Sequence, residues 1–89
     1  TLQKNYPNPF NPETTIRYSL SEAGPIKLDV YNIKGQLVRK LVNEPKAAGN
    51  YTVVWNGKDE QGMNVSSGIY FYRMQTKNYS STQKMMLMK

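Results

Sequence analysis

The sequence contains neither cysteine nor histidine. Without thiols no disulfide can form, and the commonest metal ligands and the commonest general base are missing together. Ser-His-Asp and Cys-His nucleophilic machinery is therefore excluded within this chain. Long apolar runs are also absent. The densest, Met85-Met86-Leu87-Met88, lies between Lys84 and Lys89 and falls far short of the eighteen or so apolar residues of a spanning helix, so no transmembrane segment is expected. Acidic residues are scarce, with six Asp and Glu against twelve Lys and Arg, for a net charge of +6. At 89 residues there is room for one domain with one core. Such a domain buries roughly 60–65% of its unfolded surface, so its stability is modest. The chain opens on Thr1 rather than Met, without signal-peptide character, and is expected to be an excised or processed piece of a larger chain.

The cations are spread almost evenly from Lys4 to Lys89, and only Arg39 and Lys40 are adjacent. Even spacing is usual for solvated strand faces and loops, whereas a nucleic-acid footprint clusters. No nucleic-acid partner is expected. A charged patch would have to be gathered by folding.

What is present reads as strands. Three of the five prolines fall in the first twelve residues, at positions 7, 9 and 12. Proline fixes φ, removes a donor and pushes the preceding residue into extended geometry. Residues 1–13 therefore form a stiff Pro/Asn-rich lead-in packed on the domain edge, with Tyr6 and Phe10 as its aromatic anchors. It serves either as a linker or as a short recognition element. After it the apolar period is two. Ile16, Tyr18 and Leu20 share one face, as do Ile26, Leu28 and Val30, with Lys27 and Asp29 pointing outward. Residues 32–35 form a tight connection, with Gly35 supplying positive φ. Leu37, Val38, Leu41 and Val42 fit a bulged strand or a single helical turn, and the strand is preferred. Residues 43–49, with Pro45 and Gly49, read as a loop. Tyr51, Val53 and Trp55 share the next inner face, and the only tryptophan is expected at the centre of the core. Tyr70, Tyr72 and Met74 follow, then Met85 and Leu87, with Lys84 outward. A short strand near residues 63–65 would make seven. Residues 14–89 are thus read as an all-β, Ig-like antiparallel β-sandwich of about seven strands.

Nothing in the pattern carries catalysis, and no cofactor is expected. Of six carboxylates only Asp59 and Glu60 are neighbours, in a turn, which does not suit a glycosidase pair. Residues 56–62 superficially resemble a calcium loop. They lack the alternating oxygen ligands and closing bidentate Glu, and Lys58 sits among them. The glycines are scattered turn residues rather than a phosphate cradle.

Particular segments carry a family resemblance. The opening Leu2-Gln3-Lys4-Asn5-Tyr6-Pro7-Asn8-Pro9-Phe10-Asn11-Pro12-Glu13-Thr14-Thr15-Ile16 resembles the first motif of type A C-terminal sorting domains of the type IX (Por) secretion system. Residues 28–38, Ala48-Gly49-Asn50-Tyr51, Trp55-Asn56-Gly57-Lys58-Asp59, Ser67-Gly68-Ile69-Tyr70-Phe71-Tyr72-Arg73 and the closing residues 84–89 continue the match along essentially the whole chain. The Trp-Asn-Gly and Gly-Ile-Tyr elements are similar also to an Ig-like domain of flagellar hook-capping proteins. Lys4 stands where the sorting domains more often have Glu or Gln.

The resemblance implies a folded signal at the C-terminus of a cargo protein in Bacteroidetes or relatives. Its partners would be the fused N-terminal cargo domain, the type IX outer-membrane translocon and a sortase-like surface protease. It would pass through the periplasm to the cell surface or medium. Candidate sorting-motif residues are Tyr6, Pro7, Asn8, Pro9, Phe10, Asn11 and Pro12, then Gly68 and Tyr70, then Lys84, Met85, Leu87 and Lys89. The final strand, with Met side chains and flanking lysines, is the segment expected to present the signal along a free edge. Edge strands would also allow a homodimer. The rival reading is an Ig-like structural or carbohydrate-binding accessory module of a secreted enzyme, with Tyr79 or Phe71 on a sugar-binding face.

Overall fold

The computed structural model describes residues 1–88, so Lys89 lies outside the described residues. Six strands are present: β1 (Thr14–Leu20), β2 (Gly24–Asn32), β3 (Leu37–Lys46), β4 (Gly49–Trp55), β5 (Gly68–Gln75) and β6 (Ser80–Leu87). They form two antiparallel sheets, β1-β4 and β3-β2-β5-β6. The core lies between them.

Alternation decides which side chains enter that core. Thr14, Ile16, Tyr18 and Leu20 of β1 are buried, as are Ile26, Leu28 and Val30 of β2. Tyr70, Tyr72 and Met74 of β5 and Met85 and Leu87 of β6 complete it, around a Trp55 that is 0% exposed. The β2–β3 connection is a three-residue hairpin loop. Gly35 donates to the Asn32 carbonyl (3.0 Å) with φ of 81°. A type I turn closed by a left-handed residue has this geometry, and glycine adopts it without Cβ strain.

Two local expectations are corrected. β3 continues through residues 43–46, where a loop was expected. Pro45 is compatible with a strand because β3 lies at the edge of its sheet, opposite Pro25 at the start of β2. Within β3 the register to β2 passes over Leu41 and Val38, so the pairs at 37–38 and 41–42 come from two bulges rather than a helical turn. Residues 63–65 form no strand. They make one isolated bridge, Lys58 to Asn64, which brings the count to six. Asp29 faces away from the core as expected, yet it is only 8% exposed.

The lead-in runs along an edge of each sheet in turn. Residues 1–6 follow the free side of β1, with Gln3 and Tyr6 donating to the carbonyls of Arg17 and Thr15 (3.0 and 2.9 Å). The chain then crosses at Pro7–Pro9. Phe10 donates to the Met86 carbonyl (3.0 Å) and accepts from Met88 N–H (2.9 Å). Leu2, Asn5 and Phe10 are buried. Of the two proposed anchors only Phe10 holds, because Tyr6 is 75% exposed. Its backbone pairs with β1 while its ring points into solvent.

Candidate functional site

The fold brings the two ends of the chain to one seam. Phe10 sits in a parallel bridge with Leu87. Its ring packs on Trp55 with centroids 5.6 Å apart, and Trp55 packs edge-on against Tyr70 at 5.3 Å. Tyr70 pairs with Met85, and Gly68 pairs with Leu87. The opening motif, the Trp-Asn-Gly turn, the Gly-Ile-Tyr strand and the final strand thus meet around one aromatic row. Each such ring pair contributes about 0.5–1.5 kcal/mol beyond its buried area.

Polar groups fix the seam. Asn8 Oδ1 accepts from Met86 N–H (3.0 Å). Asn5 Nδ2 donates to Thr14 Oγ1 (2.9 Å) and to the Pro7 carbonyl (3.2 Å), and Thr14 Oγ1 donates to that same carbonyl (2.9 Å). The Trp55 indole N–H reaches the Lys58 carbonyl (2.9 Å), and Tyr70 O–H reaches the Ser66 carbonyl (2.7 Å). Tyr72 O–H donates to the Gln3 carbonyl (2.6 Å), and burial pushes its pKa up to about 12. Asn5 and Thr14 were not singled out by sequence reasoning. The signal for Thr14 was its inward phase on the strand shared with Ile16, Tyr18 and Leu20.

The candidate residues therefore divide. Phe10, Tyr70, Met85 and Leu87 are buried and make the seam. Tyr6, Pro7, Asn8, Pro9, Asn11, Pro12 and Lys84 are exposed, as are Met86 and Met88 beside them. Gly68 is half-buried, and Lys89 is outside the described residues. The expected free edge of the last strand is corrected too. At Met86 and Met88 it is already occupied by Asn8 and Phe10. Any recognition there uses exposed side chains rather than added strand pairing.

Gly57 lies beneath this seam with φ of 75°. A Cβ there would come 3.2 Å from the Pro12 carbonyl oxygen and 3.7 Å from Leu87 Cδ2. Gly57→Ala is expected to cost about 1–2 kcal/mol from the left-handed backbone alone. Chemical denaturation of the purified variant measures it.

The turn that resembled a calcium loop spends its carboxylate oxygens on backbone N–H groups of the turn and of β3. Asp59 Oδ1 accepts from Gln61 and Met63 N–H (3.0 Å each), and Glu60 Oε1 from Lys40 N–H (2.6 Å). Among the described residues no three acidic side chains gather as a metal site.

Burial pushes the Asp29 carboxyl above the ordinary 3.8, against the Tyr31 hydrogen bond and the attraction of Lys27, Lys40 and Arg73. The folded state then binds the proton more tightly than the unfolded one. Stability from this group is present below 3.8 and is lost as pH rises through the raised value. Asp29→Asn should raise Tm at neutral pH, and thermal melts across pH should show the gain vanishing below 3.8.

A family model of the FlgD Ig-like domain matches residues 11–80. The chain belongs to the FlgD Ig-like domain family. No curated protein sequence matches it significantly. Among solved structures, this FlgD Ig-like domain resembles dimeric latent PorU from Porphyromonas gingivalis, with a TM-score of 0.73 and 17% identity over 97% of this chain and 9% of that one. It also resembles PorZ from the same organism, an essential bacterial surface component of the type IX secretion system, at 0.68 and 21% over 97% and 11%. FlgD from P. aeruginosa matches at 0.64 and 26% over 83% of this chain and 57% of that one. The chain therefore spans about a tenth of PorU and PorZ and just over half of FlgD. Both halves of the seam, residues 5–10 and 85–88, lie outside the segment that the family model matches.

Proposed function

We propose that this domain is a non-catalytic sorting signal of the type IX secretion system, read as a folded unit. In this reading it stands at the C-terminal end of a cargo protein, engages the outer-membrane translocon from the periplasm and is removed by a sortase-like surface protease. The cargo then remains at the cell surface or in the medium. The observation that carries the reading is the seam. Most of the opening Asn-Tyr-Pro-Asn-Pro-Phe-Asn-Pro motif and of the final strand lies outside the segment that the FlgD Ig-like domain model matches, and the two converge. The kinship of fold with PorU and PorZ supports it.

Fusing residues 1–89 to a reporter that carries an inner-membrane signal, in a host with type IX secretion, tests this. The reporter should reach the surface or medium. Its retention in the periplasm would contradict the reading. The carbohydrate-module alternative finds little support in the geometry. Phe71 lies on the outer sheet face and Tyr79 lies beyond the end of β5, so roughly 13 Å of strand separates the two.

Self-association belongs to the same proposal. β3 is protected at its edge by bulges, Pro45 and the Glu60 contact, and the end of β6 at Met86–Met88 by the lead-in. Gly49–Trp55 has neither charge nor proline, and Val54 is 51% exposed. Unprotected edges of this kind accept a second strand. Sedimentation at rising concentration should show a dimer that Val54→Lys abolishes. Dimerisation unaffected by that change would exclude the β4 edge.

A further inference from the structure

The twelve cations are evenly spaced in sequence, but the register of the four-stranded sheet collects four of them. Residues 27, 29 and 31 of β2 and 69, 71 and 73 of β5 point away from the core. Asp29 lies opposite both Arg73 and Lys40, and Phe71 lies opposite both Tyr31 and Lys84. Lys27, Lys40, Arg73 and Lys84 thus share a face with a single carboxylate, Asp29. That amounts to a net +3, half of the protein's +6.

Between the cations runs an apolar strip. Leu37 and Met86 are 45% and 38% exposed, and Tyr31, Phe71 and Ile69 are half-buried. Tyrosine, phenylalanine, methionine and arginine are the residues enriched in protein interfaces. Aliphatic Leu37, Ile69 and Met86 suit a protein surface better than a sugar ring.

The same face holds two unmet polar atoms. Asp29 Oδ1 and Arg73 Nε are buried without a hydrogen-bond partner among the described residues. Arg73 and Asp29 form no ion pair there. The guanidinium instead lies 5.4 Å from the Tyr31 ring centroid and reaches Gln75 Oε1 at 3.4 Å. Asp29 Oδ1 is an acceptor and gains nothing from a carboxylate partner, whereas the half-buried Arg73 guanidinium has further N–H groups beside the buried Nε that can donate to one.

We propose that this sheet face docks a partner protein presenting carboxylates around an apolar centre, with Arg73 taking a partner carboxylate and Tyr31 and Phe71 packing beneath. Met86 is shared with the seam and Lys84 with the final strand, but Tyr31, Phe71 and Arg73 take no part in the seam, so binding at those three is read separately from any sorting signal.

The test is a titration of the isotopically labelled 89-residue chain, followed by amide shifts. The probe is a synthetic peptide alternating glutamate with phenylalanine. Its lysine–phenylalanine counterpart and heparin are run in parallel. The glutamate peptide should bind saturably, shift the amides of Asp29, Tyr31, Phe71 and Arg73, and weaken as salt rises. Replacing two of the three exposed lysines, Lys40→Glu with Lys84→Glu, should weaken binding about tenfold or more, and Arg73→Gln should do likewise. Arg17→Glu, on the other sheet, should leave it within about twofold. Equal binding of the lysine peptide, or shifts scattered over all lysines, would overturn the proposal. So would heparin binding at this face without binding of the glutamate peptide, which would make it a site for an anionic polysaccharide.

Discussion

Phe10→Ala is expected to destabilise the domain by about 3–5 kcal/mol. Phe10 is 2% exposed, packs at a tilt against Trp55 and sits where the lead-in joins β6. Its removal leaves a cavity beside the largest side chain of the core. The backbone around it is held by hydrogen bonds to Met86 and Met88, so the site cannot collapse freely. A domain this small has only a few kcal/mol to lose. The variant should therefore be largely unfolded near body temperature, as measured by near-ultraviolet dichroism of Trp55 or by denaturant midpoint. Tyr6→Ala makes the control. It removes an aromatic ring of the same motif, yet the ring is 75% exposed, so the change should stay within about 0.5 kcal/mol.

Deleting residues 84–89 is expected to unfold the chain outright. The deletion takes Met85 and Leu87, each 1% exposed, out of the core. Each such loss costs about 2–5 kcal/mol as a single truncation. It also strips the outer half of the β5–β6 ladder and removes the partners of Asn8 and Phe10. The amide spectrum of the truncated chain should collapse to the narrow range of a disordered polypeptide. A well-dispersed spectrum would mean that the last strand is an appendage. For export assays the consequence is practical. Loss of export on truncation reports unfolding as readily as loss of a signal, so the signal has to be probed with surface substitutions.

Much of the fold was legible in the sequence because alternation is a local property. The inward phases of β1, β2, β5 and β6 follow from Ile16-Tyr18-Leu20, Ile26-Leu28-Val30, Tyr70-Tyr72-Met74 and Met85-Leu87. β3 was harder, since two bulges break its period and Pro45 imitates a loop. The lead-in resisted for a different reason. In a proline-rich segment no period decides which of Tyr6 and Phe10 turns inward, and the answer rests on a contact with Trp55. The meeting of the opening motif with the final strand is a tertiary fact, invisible to any local pattern. The resemblance to sorting domains named both ends without placing them together. The charge patch was hidden likewise, because Lys27, Lys40, Arg73 and Lys84 become neighbours only through strand register.

The seam makes one claim that exposed side chains can decide. Tyr6 and Met88 flank it, are 75% and 53% exposed, and contribute little to the core. The decisive measurement is export of the reporter fusion carrying Tyr6→Ser with Met88→Ser, with Tm of the isolated variant recorded alongside. A folded signal read at the seam requires an unchanged Tm and export reduced about tenfold, the loss of one or two surface anchors. Full export with an unchanged Tm would show that the seam holds the fold together and carries no signal.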